Sequence, residues 1–335
     1  MRLPRFEYFK PKTLKEAVKL LTADPKGTVL LSGGTDLLVN MKHGLIQPKR
    51  MINLKAIPKS AYIRDEKDGL RIGALTTLHE IASSPMVQEK FPALIQASKE
   101  VAAYALQMMG TIGGNLCQGN RCRFYNQSAF WRSVRPPCHK AGGKICYVAP
   151  KSKECHSAYC GDIAPVLIAL NAQMKVLGAE GERVFPLKKL YTQNGNRPLS
   201  LKKGEILKEI LIPPSSGKTL YLKWRLRNSL EFPIISLALH LERDGKQQIK
   251  KSRIIFGAVG PGPVEAALAE KMLKTGPLDE RMIEKVSSQA VKEISPMRTS
   301  LHSPSYKRRM AGILLKQGLE EIMNCGIRNA ECGIL

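Results

Sequence analysis

The sequence predicts an α+β chain built as two or three compact units, and three observations predict it. Up to Pro58 the chain alternates helix, strand, glycine turn and helix. Beyond Pro58 it changes to antiparallel pairs, and the last third runs a group of strands into a group of helices, the order of an α+β unit rather than of a wound parallel sheet. Length agrees: single cores rarely exceed roughly 250 to 300 residues, and this chain has 335. Hydrophobic content of 43% beside 24% charged residues is that of a globular protein. No apolar run approaches the ~20 residues that span a bilayer, so a membrane role is not expected.

Thr13 to Glu16 has the spacing of a capping box, and Leu14, Ala17, Val18 and Leu21 repeat at helical period until Asp24-Pro25 stops the helix. Thr28 to Leu31 is a short buried-type strand, broken by Ser32-Gly33-Gly34-Thr35-Asp36 before Leu37-Leu38-Val39 opens a helical turn. Adjacent glycines let backbone approach a bulky anion, and N–H groups at the helix start are free to bind phosphate oxygens, although a Gly-Gly turn is more often plain geometry. Pro48 to Leu54 reads as a second strand, and Tyr62-Ile63-Arg64 with Leu70-Arg71-Ile72 flank Asp68-Gly69 as a hairpin. Thr77 to Glu80 is another capping box. Pro92 to Leu106 carries one longer helix with Leu94, Ile95, Ala97, Val101 and Ala102 inward. It leads into a second glycine turn, Thr111-Ile112-Gly113-Gly114-Asn115, so the two turns could serve one extended diphosphate ligand.

Asp162 can cap a helix through Leu170, Met174 to Leu177 resumes strand, and Pro213 to Gly217 is a linker by composition. Three strands follow, Tyr221–Trp224, Ile234–Leu241 and Arg253–Val259, with Asp244-Gly245 turning the second into the third. Pro263–Leu273, Asp279–Ile294 and Ser305–Met323 are helical. Trp224 and Phe232 are expected in this core or against the edge of a ligand, the core being the plainer place, and Glu231 is placed to pair with Arg225 or Arg227.

Six of the eight cysteines, Cys117, Cys122, Cys138, Cys146, Cys155 and Cys160, fall between the second glycine turn and Asp162. Thiolate is a soft ligand for zinc and for iron–sulfur clusters, so this density in an otherwise cysteine-poor chain points to a metal centre. Cys117 to Cys122 and Cys155 to Cys160 form two C-x4-C pairs that suit zinc, which is the reading that spacing alone favours. His139 and His156 adjoin two of the cysteines as substitute ligands, a surface imidazole being the plainer role. Cys325 and Cys332 lie in a tail, 324–335, expected to fray. Met1 to Phe6 has no apolar segment before a small-residue cleavage site, so a reducing cytoplasm is the expected compartment, where clustered cysteines favour metal over disulfides.

A net charge of +25 raises a nucleic-acid reading. The basic residues are scattered along the chain, aromatic residues are only 6%, and no recognition-helix or ribonucleoprotein signature accompanies them. The charge therefore reads as solvated surface or as a docking face for an acidic partner, with no nucleic acid expected. A basic zinc-stabilised nucleic-acid-binding protein is the alternative from a different class.

Ser32 to Asp36, Thr111 to Asn115, and Lys223 with Arg227 before Phe232-Pro233 together resemble the flavin-binding subunit of the molybdenum hydroxylases, the family of xanthine dehydrogenase and carbon monoxide dehydrogenase, over roughly residues 4 to 323. The resemblance implies a two-subdomain FAD-binding fold of the vanillyl-alcohol-oxidase or PCMH type over residues 1–58 and 59–213, then a domain of antiparallel sheet and helices over 218–323. It implies Ser32, Gly33, Gly34, Thr35, Asp36, Thr111, Gly113, Gly114 and Asn115 as FAD-binding residues, with Asp162 near the ribityl-flavin end and Lys223 close to the isoalloxazine ring. Arg298-Thr299-Ser300 and Tyr306-Lys307-Arg308 also match the family, without an assigned role.

Most of that family has only a short connection where this chain carries its cysteine segment, 117–160. Asn115 to Gln118, Arg121-Cys122, Phe124 to Gln127 and Gly161 to Pro165 resemble the insertion of the 4-hydroxybenzoyl-CoA reductase beta subunits, a branch that holds an additional 4Fe-4S cluster. By that resemblance the ligands are Cys122, Cys138, Cys146 and Cys155, at intervals of 15, 7 and 8 residues that match no common ferredoxin pattern. Cys117 and Cys160 are then free thiols at the base of the insertion. The implied function is electron transfer from reduced ferredoxin, through cluster and FAD, to a 2Fe-2S subunit and a molybdenum-cofactor subunit. The implied assembly is a dimer of heterotrimers that removes a phenolic hydroxyl from an aryl-CoA. The rival is the FAD subunit of another molybdenum hydroxylase, acting oxidatively on an aldehyde, a purine or carbon monoxide.

Overall fold

The first sheet is parallel and small. In the computed structural model, which describes residues 2–244 and 248–325, β1 (Glu7–Phe9), β2 (Thr28–Leu31) and β3 (Arg50–Asn53) pair in the order β1-β3-β2. The expected Asp244-Gly245 turn lies partly, and Cys332 wholly, outside the described residues. Helix α1 (Leu14–Ala23) buries Ala17, Val18 and Leu21, and α2 (Leu37–Lys42) follows the first glycine turn. Thr13 caps α1 by accepting from the Glu16 N–H at 3.1 Å. The Glu16 carboxylate accepts instead from Lys12, so only half of the expected capping box forms. Strand β1 was not anticipated: it is an exposed edge of three residues with no apolar alternation to announce it.

The second sheet is antiparallel. β4 (Ile63–Glu66) and β5 (Gly69–Gly73) form the expected hairpin and join β6 (Gln173–Gly178), β7 (Gly181–Pro186) and β8 (Ile206–Ile212) in the order β4-β5-β8-β6-β7. Between β5 and β6 lie seven helices: α3 (Leu78–Ala82), whose Thr77–Glu80 capping box is complete, α4 (Pro85–Lys90), α5 (Pro92–Glu100), α6 (Tyr104–Gln107), α7 (Ile112–Leu116), α8 (Ala129–Ser133) and α9 (Ile163–Ala169). The single helix expected over Pro92 to Leu106 is broken. It stops at Glu100, Ala102 turns left-handed at φ +53°, and Gln107 Nε2 donates to the carbonyls of Lys99 and Val101 at 2.8 Å each, satisfying the broken end.

The third sheet places β9 (Lys218–Trp224), β10 (Ile235–Arg243), β11 (Ile249–Gly257) and β12 (Val264–Glu265) in the order β12-β11-β10-β9. The helix expected from Pro263 begins later, as α10 (Ala267–Met272), because Val264 and Glu265 pair with β11 and the Glu265 carboxylate ion-pairs with Arg253 on that strand. Helices α11 (Glu280–Glu293) and α12 (Pro304–Cys325) complete the unit. Ile235 to Leu241 are buried at every position, since α12 covers one face of β10 and α9 the other. Trp224 and Phe232 are not in this core. They are 36% and 45% exposed, because β9 ends at Trp224, whose indole donates to the Tyr306 phenol, and Phe232 rides on the loop that follows. Glu231 pairs with Arg227 at 3.1 Å, while Arg225 turns to Glu100 at 3.0 Å. Among the described residues no helix is long and apolar enough to cross a membrane.

Candidate cofactor site

The two glycine turns meet back to back. A Cβ on Gly33 would stand 2.3 Å from the Met109 carbonyl oxygen, and one on Gly113 would stand 2.7 Å from that of Ala74. Gly34 takes φ +75°, which favours glycine. Gly33 and Gly114, whose Cβ would stand 2.9 Å from the Ser32 hydroxyl, are therefore required for contact between the turns, and Gly113 for contact with Ala74, the plain-geometry use of a Gly-Gly turn. Thr111 caps α7 by accepting from the Gly114 N–H at 3.0 Å and donates to the Ser32 hydroxyl at 3.3 Å, fastening one turn to the other. The N–H groups of Gly33, Gly34 and Thr35 have no acceptor among the described residues.

These turns wall a cavity of about 590 Å³, and Ser32, Gly33, Gly34, Thr35, Asp36, Thr111, Gly113, Gly114, Asn115 and Asp162 all line it. Ten of the eleven residues expected at the cofactor thus converge on one space. Lys223 does not line it: its side chain is only 1% exposed, and its ammonium lies 3.1 Å from Asp162 Oδ1 and donates to the Glu100 carbonyl at 2.7 Å. Nor does Asp162 cap α9 with its side chain. It stands at the capping position, but Oδ1 accepts from the Tyr221 phenol at 2.6 Å and from Lys223. Burial pushes the Asp162 carboxyl up, and Lys223 and Tyr221 oppose that. Tyr221 was missed although its signal was legible, since Tyr221 and Lys223 are two apart on a strand and so share a face.

Arg121, also missed, comes from the cysteine segment. Its guanidinium ion-pairs with Asp36, which also accepts from Asn40 at 2.9 Å, and lies 4.6 Å from the Phe232 ring centroid at the cavity wall. No periodicity marks such a residue, because its partners are distant in sequence.

A second, much smaller cavity is lined by Cys122, Cys138, Cys146 and Cys155, with Phe124, Tyr125, Tyr147 and Lys140 around them. All four are free thiols; Cys138 is half-buried and the rest buried. Burial pushes the Cys122 thiol up to about 11, with Cys155 and Cys138 among the neighbours that add to the rise. Among the described residues no three His, Cys, Asp or Glu side chains stand close enough to hold a single metal ion. The two C-x4-C pairs are split. Cys117 and Cys160 line the large cavity, Cys122 and Cys155 the small one, so those four do not converge as zinc would require. Burial holds Cys117 and Cys160 protonated, pushing them up to about 12 and about 11. His139 and His156 are not free surface imidazoles: each Nε2 is hydrogen-bonded to Ser152, at 3.1 Å to its carbonyl and 2.7 Å to its hydroxyl.

The cavities are lined by consecutive residues of the chain. Arg121 faces the large one and Cys122 the small one, and Arg121 exchanges both backbone hydrogen bonds with Ala158, at 2.7 and 2.8 Å.

Residues 4–215 match the family of the FAD binding domain in molybdopterin dehydrogenase, and residues 221–322 match the CO dehydrogenase flavoprotein C-terminal domain. The chain is 23% identical to the putative xanthine dehydrogenase FAD-binding subunit of Escherichia coli K12, covering 94% of each chain. It is 25% identical to the glyceraldehyde dehydrogenase medium chain of Sulfolobus acidocaldarius, covering 95% of this chain and 99% of that one. The solved carbon monoxide dehydrogenase from Hydrogenophaga pseudoflava superposes with a TM-score of 0.80 at 27% identity, over 97% of this chain and 99% of that one. The fold is accordingly an FAD-binding domain of the PCMH type followed by a C-terminal sheet-and-helix domain. A chain with these two domains, and with paired glycine turns walling one cavity, belongs to the FAD-binding medium subunits of the molybdenum hydroxylases, an oxidoreductase family.

Proposed function

We propose that this chain is the FAD- and 4Fe-4S-carrying electron-transfer subunit of a molybdenum-dependent aryl-CoA reductase resembling 4-hydroxybenzoyl-CoA reductase. The observation that carries the reading is the pair of cavities: four cysteines line one, the glycine turns line the other, and a single residue step, Arg121 to Cys122, separates them. Four thiolates are the donor set of a 4Fe-4S cluster, and Cys122, Cys138, Cys146 and Cys155 would hold it. Gly33, Gly34 and Thr35 would offer their unpaired N–H groups to the FAD diphosphate, with Thr111, Gly113, Gly114 and Asn115 opposite and Ser32 and Asp36 at the edge. FAD supplies the link between one-electron carriers and a two-electron reaction. The residues of this chain contribute position and exclusion of water, through the Arg121 and Phe232 cover and the protonated thiols of Cys117 and Cys160.

Partners of the complex would be a molybdenum-cofactor subunit and a 2Fe-2S subunit, in a dimer of heterotrimers in the cytoplasm, with ferredoxin as electron donor. The cysteine segment suits an acidic donor. Between Cys117 and Cys160 it carries Arg121, Arg123, Arg132, Arg135, Lys140, Lys144, Lys151 and Lys153 against Glu154 alone. A second reading, favoured by the names of the relatives, is the FAD subunit of a xanthine-, aldehyde- or carbon monoxide-oxidising enzyme in which the cysteine segment is an addition.

Anaerobic purification with flavin, iron, sulfide and zinc analysis tests the reading. About one FAD with four irons and four sulfides per chain is the expected result. FAD with zinc and no iron would reject the cluster and favour the second reading.

A further inference from the structure

The cavity wall contains a buried carboxylate half used by the protein. Asp162 is 3% exposed. Its Oδ1 takes both the Tyr221 phenol, at 2.6 Å, and the Lys223 ammonium, at 3.1 Å. Oδ2 has no partner among the described residues, yet it is not among the buried polar atoms sealed without one. Asp162 lines the large cavity, and Oδ2 is the carboxylate oxygen that Tyr221 and Lys223 leave over for a ligand there. Behind the carboxylate every group is fixed. Tyr221 is fully buried on β9, Lys223 lies one step along the same face of that strand, and the Lys223 ammonium is also tied to the Glu100 carbonyl at the end of α5.

We infer that Tyr221 and Lys223 are positioning residues, which saturate one oxygen of Asp162 so that the other stands as a fixed, charged acceptor for an O–H or N–H donor of the bound flavin. The inference rests on the FAD reading and changes the role of Lys223, which acts through Asp162 and does not meet the ring. The physical case is preorganisation. A carboxylate free to rotate presents either oxygen and keeps water on both, whereas one held by two donors loses no further freedom when the ligand arrives. The ammonium offsets a charge that burial alone would discourage.

The titratable groups facing Asp162 are Lys223 and Tyr221 from β9, Glu100 from α5, and Tyr159 and Cys160 from the segment before α9. Of these only Lys223 and Tyr221 favour the ionised form by direct contact. Removing either raises the pH at which Asp162 takes up a proton, and protonation weakens it as an acceptor.

The test is a double-mutant cycle on the full chain, with FAD affinity followed by flavin fluorescence from pH 5 to 8. Asp162→Asn should weaken binding roughly 10- to 100-fold, the range for a hydrogen bond to a charged group. Tyr221→Phe, nearly isosteric, should weaken it roughly 3- to 10-fold at pH 7 and move the acid limb of the affinity curve to higher pH. In the Asp162→Asn background the same substitution should cost nothing further. Lys223→Met should move the acid limb in the same direction. Tyr221→Phe with an unmoved acid limb, or with a loss fully additive to that of Asp162→Asn, would overturn the positioning role while FAD binding itself stood. A wild-type chain that binds no FAD would overturn both the reading and the inference.

Discussion

Arg121 lays its guanidinium 4.6 Å from the ring centroid of Phe232 while holding the carboxylate of Asp36. The three residues belong to the cysteine segment, the loop after β9 and the first glycine turn, so one cation joins three distant parts of the chain at the wall of the large cavity. A partly exposed cation–π contact with an ion pair is worth on the order of 1 kcal/mol. Arg121→Gln should accordingly speed FAD dissociation by roughly tenfold or less, as read by stopped-flow flavin fluorescence. An unchanged rate would show that the contact is incidental.

Gly33→Ala should act on the frame itself. A methyl group 2.3 Å from the Met109 carbonyl forces the two glycine turns apart, a cost of about 1–3 kcal/mol for overpacking. The denaturation midpoint should fall and the flavin content with it. Gly34→Asp adds a carboxylate to the same turn, and full FAD stoichiometry in that variant would remove the first turn as a diphosphate site.

Cysteine substitutions separate the two cavities. Cys138→Ser should retain FAD and lose iron together with cluster absorbance, since Cys138 lines only the small cavity. Cys117→Ser, in the wall of the large one, should leave iron unchanged. Iron content that survives in Cys138→Ser would strike Cys138 from the ligand set.

Much of this geometry was legible and part of it was not, for physical reasons. Strands β2, β3, β5, β6, β9, β10 and β11 announced themselves because each carries a run or alternation of apolar residues, whereas β4 was legible from the Asp68-Gly69 turn that pairs it with β5. The convergence of Ser32 to Asp36 with Thr111 to Asn115 followed from motif resemblance. Side-chain choices made across the fold were hidden. Asp162 could cap α9 or meet Lys223, and only the packing of β9 against α9 decides between them. Phe232 looked like a core aromatic, yet its place was set by Arg121, a residue without periodic neighbours. The break at Ala102 depended on Gln107 reaching back to two carbonyls, a local rescue that helix propensity does not encode.

Glu270 gives stability a pH dependence. Buried with its carboxylate accepting from the Ile254 N–H at 2.8 Å, it is pushed up to about 7 by burial first and by Glu265 nearby. The unfolded carboxyl ionises near its ordinary 4.5, so between pH 4.5 and about 7 the folded chain holds the proton that the unfolded chain has released. Stability contributed by this residue is present below that window and lost as pH rises through it. Glu270→Gln should therefore be more stable than the parent at pH 8, by on the order of 2 kcal/mol, and indistinguishable from it near pH 4. Thermal melts across that range check the sign; a variant no more stable at pH 8 would refute it.

The cysteine segment exposes apolar rings among its cations. Phe130 is 79% and Trp131 56% exposed, and Arg135 lies about 5.5 Å from the ring centroids of Phe124, Trp131 and Tyr147. If an acidic ferredoxin docks on this face, Arg135→Glu should raise its KM roughly tenfold at low salt. The gap between variant and parent should close as ionic strength approaches ~0.5 M, where screening removes long-range attraction. A salt-independent difference would point to lost packing instead of charge.

The paired bonds between Arg121 and Ala158 have a consequence for how such a chain can change over generations. The residues from Cys122 to Ser157 start and end at this hydrogen-bonded pair, so their two ends are neighbours whether the excursion is long or short, and the segment is also tied down where Arg123 N–H donates to the Thr299 carbonyl and Arg132 to the Gly44 carbonyl. A loop of that kind adds little closure entropy as it lengthens. The cluster proposed for it would then be an accessory, which one lineage could acquire and another discard while keeping the flavoprotein beneath.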